Sequence, residues 1–266
     1  MTIRRYTQEV WSFFKTLPNL ETLRDIHLAL TILFIRASYQ RGGADPFSDQ
    51  LIRKLANRLP RPLSKIIIDP FFHGVHIINQ LLISLEKSCN PEFGNLDYII
   101  AKIKRYLKKV GAILIVDCLS LIEFLSLMIF AKKEGYNVDF LDLYFLNFPG
   151  FTRFLTRQLG DRGTLGLVAK LFAEKLNASR VKVYSYIDKL VHDPEAFNFD
   201  KFLERIPIEL LYKEIILQVS KFGSVLIMSD HGYNIIKRGD ILYVDHGTSQ
   251  GIVKLNNMAF FMIIRR

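Results

Sequence analysis

Two stretches of this chain, Ala112-Ile113-Leu114-Ile115-Val116 and Val225-Leu226-Ile227-Met228, are apolar at every position. A strand with one face in water alternates apolar and polar residues, whereas a run without alternation is buried on both faces. Strands of that kind sit in a sheet covered by helices on either side. The two runs therefore restrict the chain to the α/β class more than any other feature does. Each also ends in a carboxylate: Asp117 follows the first run, and Ser229-Asp230-His231-Gly232 follows the second. The carboxyl ends of such strands are where ligands collect.

From Gly111 onward the pattern alternates. Strands are expected over 112–117, 138–145, 181–187, 224–229, 241–245 and 258–264, and helices over 119–134, 151–159, 164–177 and 198–221, the last broken near Pro207. The final two strands, joined through Gly247 to Asn257, read as an antiparallel edge. The first hundred residues are mainly helical in pattern, with helices over Leu23–Tyr39, Ser48–Leu59, Phe71–Leu85 and Leu96–Val110 and a short strand at Ile66-Ile67-Ile68. The expected organisation is a mainly helical accessory region over 1–110 and an α/β domain over 111–266, built on a central sheet.

Half of the 266 residues are hydrophobic and 23% are charged, as in a well-packed globular protein. Lys and Arg total 36 against 26 Asp and Glu, and the resulting +10 favours anionic partners such as nucleic acid or phosphorylated small molecules. Gly111 to Phe130 has the length of a membrane span, but Asp117 and Glu123 lie inside it. Its two halves read as a strand and a helix stopping at Lys132-Lys133-Glu134-Gly135, so no membrane is expected as a partner. Met1 to Asn19 carries Arg4, Arg5, Glu9 and Lys15 without a clean apolar core, and no secretory leader is expected. Cys89 and Cys118 lack CxxC spacing. Cys118 reads as a buried thiol in a reducing, cytoplasmic setting.

The chemistry-bearing side chains fall at expected element ends. Asp188-x-x-x-His192 puts a carboxylate and an imidazole on one side of a helical turn, where both can hold one metal. Asp230-His231 and Asp117 close strands, and His246 follows Tyr243-Val244-Asp245. Taken singly, each has a plainer reading: Asp188 as the cap of a helix from Lys189, His192 as a surface residue. His27, His73 and His76 read as structural or surface residues; Gly74 weakens the turn that would pair the last two. Lys102, Lys104, Arg105, Lys108 and Lys109 form either a solvated helix face or a patch that attracts a polyanion.

Ile115-Val116-Asp117, Pro149-Gly150-Phe151-Thr152, Asp188-x-x-x-His192, Ser229-Asp230-His231-Gly232 and His246-Gly247 occur in an order that resembles the alkaline phosphatase superfamily, and within it PglZ-domain proteins. The resemblance spans roughly residues 111–250. It implies an alkaline phosphatase-like α/β sandwich around a mixed sheet, with two divalent cations, zinc or alternatively manganese. Carried over residue by residue, it implies one metal on Asp117, Thr152, Asp230 and His231 and the other on Asp188, His192 and His246. It also implies phosphoester hydrolysis through Thr152 as nucleophile. The positive charge favours a nucleotide or oligonucleotide phosphodiester as substrate.

The residues lend Thr152 support of their own, since Phe148-Pro149-Gly150 is a turn and Thr152 opens the following helix, where free amide hydrogens accept anions. As a plain N-cap, Thr152 would need no chemistry. Ser120 and Thr156 are rivals; the first suits a helix cap and the second lies one turn too far along. The chain departs from the family pattern at Asp117-Cys118-Leu119-Ser120-Leu121, where glycine commonly follows the aspartate and an arginine comes soon after, and at His246-Gly247-Thr248-Ser249. Arg153 is a candidate replacement for the missing basic group. The alternative function is a catalytically inactive metal-binding regulatory or interaction module; a nucleic-acid-binding protein with no metal chemistry comes third.

Overall fold

The computed structural model describes residues 3–42, 50–69, 72–87, 96–105, 110–146, 152–160, 163–195, 198–239, 241–246 and 252–266. Six helices come first: α1 (Ile3–Phe14), α2 (Leu23–Arg41), α3 (Gln50–Ala56), α4 (Leu63–Ile67), α5 (His73–Lys87) and α6 (Leu96–Lys104). Then follow β1 (Ala112–Val116), α7 (Leu121–Lys133), β2 (Asn137–Leu146), the single turn α8 (Thr152–Thr156) with a 3-10 turn at Arg157–Leu159, α9 (Leu165–Leu176), β3 (Arg180–Tyr184) and α10 (Tyr186–Val191). The chain closes with α11 (Phe199–Arg205), α12 (Ile208–Phe222), β4 (Ser224–Ser229), β5 (Asn234–Arg238), β6 (Ile241–Asp245) and β7 (Met258–Arg265).

Five strands form one mixed sheet in the order β2-β7-β4-β1-β3. β3, β1 and β4 run parallel, and β7 runs antiparallel to both β4 and β2. The continuous apolar runs occupy the middle of this sheet, and their side chains divide strictly by parity. Leu114, Val116, Val225, Ile227, Phe260 and Met262 join one apolar cluster with α1, α2, α5, α7 and α12. Ile113, Ile115, Leu226, Met228, Phe261 and Ile263 join a second with α6 and α9. Helices thus cover both faces, which is why neither β1 nor β4 needs a polar face. The outer strand β3 instead exposes Arg180 and Lys182, charges that blunt a free sheet edge.

Local signals set several boundaries. Ser120 caps α7 through a reciprocal pairing with Glu123, and Pro207 separates α11 from α12 because a proline nitrogen cannot donate within a helix. Asn177 ends α9 in the left-handed conformation. Other expectations are corrected. Ile66-Ile67 belongs to α4, not to a strand. The strand expected to reach residue 187 stops at Tyr184, and Tyr186 opens α10. β6 does not pair with β7: it forms a hairpin with β5, which had no strand expectation, while β7 lies inside the main sheet. Lys102 is not on a solvated face, being half-buried and bonded to Asp142 at 3.2 Å and to the Leu143 carbonyl at 2.6 Å. Lys108, Lys109 and Cys89 lie outside the described residues. Among those described, no helix is long and apolar enough to cross a membrane.

Candidate metal centre

The three parallel strands end along one rim, and each delivers functional groups there. The Asp117 amide donates to the Tyr184 carbonyl at 2.9 Å, which carries the β1–β3 ladder one residue further and holds Asp117 at the edge. Asp230-His231 leaves the adjacent β4, and Asp188 lies in α10, directly beyond β3. The loops after β1 and β4 are tied together. The Cys118 amide donates to Asp230 Oδ1 at 3.4 Å, and the Cys118 thiol contacts the Gly232 carbonyl at the same distance. Gly232 permits this approach: a Cβ there would stand 2.6 Å from the Leu255 carbonyl oxygen and 3.1 Å from Ser120 Cα. Cys118 itself adopts φ of 64°, a conformation glycine occupies without strain.

Two groups of side chains result. In the first, the Thr152 hydroxyl donates to Asp230 Oδ2 at 2.6 Å and lies 3.4 Å from Asp117 Oδ1. His231 Nε2 is 3.5 Å from Asp117 Oδ1, 3.6 Å from Asp230 Oδ2 and 3.5 Å from Thr152 Oγ1. The other ring nitrogen of His231 is 2.9 Å from the Gly232 carbonyl, so Nδ1 carries a proton and donates. This bond orients the ring toward the carboxylates, as outer partners of metal-ligating histidines do. In the second group, His192 Nε2 and His246 Nε2 face each other at 2.8 Å, and Asp188 Oδ1 is 3.5 Å from both. The groups adjoin, with the His231 and His246 ring centres 5.2 Å apart. Asp117, Asp230 and His231 meet the spacing of a metal ligand set, as do Asp188, His192 and His246; Cys118 lies within the same spacing of Asp188 and His231.

The electrostatics are those of crowded carboxylates. Burial, then Asp230 and Asp188, push Asp117 up to about 8, against the smaller pull of His231 and Thr152. Burial alone would lower His231, but Asp230, the Gly232 carbonyl, Asp117 and Asp188 outweigh it and raise it. Burial likewise opposes ionisation of Asp188, yet its histidine neighbours hold it below the usual range. A carboxyl raised in the folded state binds a proton there that the unfolded chain has already released. Without metal, the Asp117 contribution therefore lowers stability as pH climbs from about 4 toward 8. Thermal melts in chelator at pH 5, 6.5 and 8 should show the parent falling relative to Asp117→Asn, which lacks the ionisation. Parallel curves for the two proteins would contradict the crowding.

The remaining expected residues are placed as follows. Ser120 is buried and committed to capping α7, which removes it as a rival hydroxyl. Thr156 is buried one turn beyond Thr152. His73 and His76 are exposed on α5 with their rings stacked 5.9 Å apart. Residues 147–151 and 247–251, which include the Pro149-Gly150-Phe151 and Gly247-Thr248-Ser249 segments, lie outside the described residues.

The sequence reading missed a buried network behind the rim. His27 Nε2 lies 2.6 Å from Glu123 Oε1, the Tyr233 hydroxyl donates to the same oxygen, and the Ser120 amide donates to Glu123 Oε2 at 3.1 Å. The Ser120-x-x-Glu123 spacing was its one visible sign. No protein-family model matches this chain, and no curated protein matches it either.

Proposed function

We propose that the chain is a metal-dependent phosphoester hydrolase of the alkaline phosphatase-like, PglZ-domain type, acting on a nucleotide or oligonucleotide phosphodiester through Thr152. The observation that carries this reading is the convergence of the Thr152 hydroxyl, Asp117, Asp230 and His231 Nε2 beside the Asp188, His192 and His246 group. The donor set suits divalent cations. Two imidazole nitrogens facing each other across 2.8 Å share either a proton or a metal, and mixed carboxylate and imidazole donors favour zinc, with manganese the alternative. In this assignment Asp117, Thr152, Asp230 and His231 would hold one ion, and Asp188, His192 and His246 the other.

Bound cations would supply Lewis acidity at the phosphoryl oxygens and lower the pKa of a bound hydroxyl. This chain's residues do the rest. The Thr152 hydroxyl already points its proton at Asp230 Oδ2, which accepts it as Oγ1 attacks phosphorus. The bond to the leaving alcohol breaks, that oxygen takes the proton from Asp230, and a threonine-linked phosphodiester remains. Attack by water on that phosphorus breaks the bond to Thr152 Oγ1, releases a phosphomonoester and gives one of the water's protons to Thr152.

Metal binding provides the first test. Protein stripped with chelator and titrated with zinc should take up about two ions, one per ligand group. At a hundredfold excess over Kd, each ion stabilises by about 2.7 kcal/mol, a rise in Tm of roughly 5–10 °C per ion for a chain of this size. Asp188→Asn combined with His246→Gln should halve the uptake. Zinc uptake with no turnover of aryl phosphomonoesters or phosphodiesters would leave the chain a metal-holding regulatory module; no uptake at all would refute the centre.

A further inference from the structure

Beside Thr152 lies a cleft of about 380 Å³ lined by Thr152, Arg153, Thr156 and Arg157 together with Gly160, Gly163 and Thr164. Arg153 and Arg157 are four residues apart, the first in α8 and the second opening the 3-10 turn that follows. Both are exposed. Arg24, Arg58, Arg205 and Arg265 each pair with a carboxylate at 2.6–3.4 Å, whereas neither cleft arginine has an ion-pair partner among the described residues.

Two described glycines shape the same lining. Gly160 turns the chain with φ of 90°, and Gly163 comes so close that a Cβ would stand 1.9 Å from the Thr156 carbonyl oxygen. Thr164 then caps α9 through the Leu167 amide. Arg153 and Arg157 thus line an opening whose wall also includes Thr152, the residue assigned to attack phosphorus. Guanidinium groups bind phosphate oxygens in pairs and stay charged across the working pH range. The scissile phosphate, by contrast, meets a centre that itself contributes three carboxylates.

We infer that the Arg153/Arg157 cleft binds a second phosphate of the substrate, so that the preferred phosphoester is one carrying a neighbouring phosphate group. This rests on the reading of Thr152 as nucleophile and deepens it by assigning what the non-scissile part of the substrate must contain. An oligonucleotide offers that phosphate across a sugar; a nucleoside polyphosphate offers it directly.

The test compares two diesters with the same scissile bond: thymidine 5′-(4-nitrophenyl phosphate), and the same compound bearing a 3′-phosphate. With metal-loaded full-length protein, kcat/KM should favour the 3′-phosphorylated diester by roughly ten- to hundredfold, the scale of one or two charge-assisted hydrogen bonds. Arg153→Gln and Arg157→Gln should each reduce that preference, and the double variant should bring it close to one. Arg24→Gln, remote from the cleft, should retain it.

Calorimetric titration with thymidine 3′,5′-bisphosphate, thymidine 5′-diphosphate and thymidine 5′-monophosphate reads the cleft without turnover. Tighter binding of the 3′,5′-bisphosphate assigns the oligonucleotide arrangement, and tighter binding of the diphosphate assigns the polyphosphate one. Loss of that advantage in the double variant supports the cleft even if neither diester is hydrolysed, a result that would fault only the hydrolase reading. Equal affinities for all three in the parent, or an unchanged preference in the double variant, would overturn the inference.

Discussion

Thr152→Ala protein, loaded with metal to the parent's level, should hydrolyse bis(4-nitrophenyl) phosphate slower on the order of 10³-fold or more, because the atom that forms the covalent bond is gone. Thr152 is only half-buried and opens a single turn, so the change removes one hydroxyl and its 2.6 Å bond to Asp230 without opening a core cavity. Thermal stability of the metal-free protein should therefore stay close to the parent's, while the first ion is held more weakly because one of its four proposed ligands is gone. Thr152→Ser keeps an oxygen in reach of Asp230 Oδ2 and should recover much of the rate. Rapid-quench trapping of Thr152 esterified to 4-nitrophenyl phosphate in the parent, and its loss in the alanine variant, would identify the bond directly. An alanine variant with the parent's rate at equal metal occupancy would reject the nucleophile, whatever the metal data showed.

The second large effect concerns stability and lies behind the rim. Glu123 is fully buried, and its two oxygens serve His27, Tyr233 and Ser120. Glu123→Ala leaves a buried imidazole, a buried phenol and a helix-cap amide without their acceptor. Removing one member of such a network typically costs about 3–5 kcal/mol. The same change should weaken zinc affinity, because Ser120 and Tyr233 sit two or three residues beyond Asp117 and His231 in the two loops that Glu123 joins. Urea unfolding of the zinc-free protein isolates the first effect, and a zinc titration of the folded variant isolates the second. A loss below about 1 kcal/mol would show that water or a rearranged Tyr233 satisfies these groups. Glu123→Gln should fall between the parent and the alanine variant, since the amide keeps one acceptor but turns its nitrogen toward donors.

How far each feature can be read in advance follows from the range of the interaction behind it. The amino-acid sequence by itself determined the buried central strands: β1 and β4 are apolar at every core position, and no edge strand tolerates that pattern. It also determined the α7 cap at Ser120 and the break at Pro207, both decided within a few residues. The residue types gathered at the rim were legible for the same reason, because a carboxylate directly after a buried strand must emerge at its end. Their separations were not, since 2.6 Å between Thr152 and Asp230 joins positions 78 apart in the chain.

Tertiary structure alone decided the rest. Ile66-Ile67 is as apolar as a strand, but Arg36 bonds to the Ile67 and Asp69 carbonyls and the segment closes a helical turn. β7 looked like the partner of β6 because they are consecutive; instead β4 and β2 both presented open ladder edges, and burying β7 between them satisfies its backbone groups on both sides. The left-handed Cys118 and the His27–Glu123 pair, 96 residues apart, arise only where α2, α7 and the two rim loops meet. Local propensity and burial pattern select which segments become strands and helices. Which strand completes which ladder, and which buried polar group finds which partner, is settled only by assembly, where an unpaired group costs more than any local preference supplies.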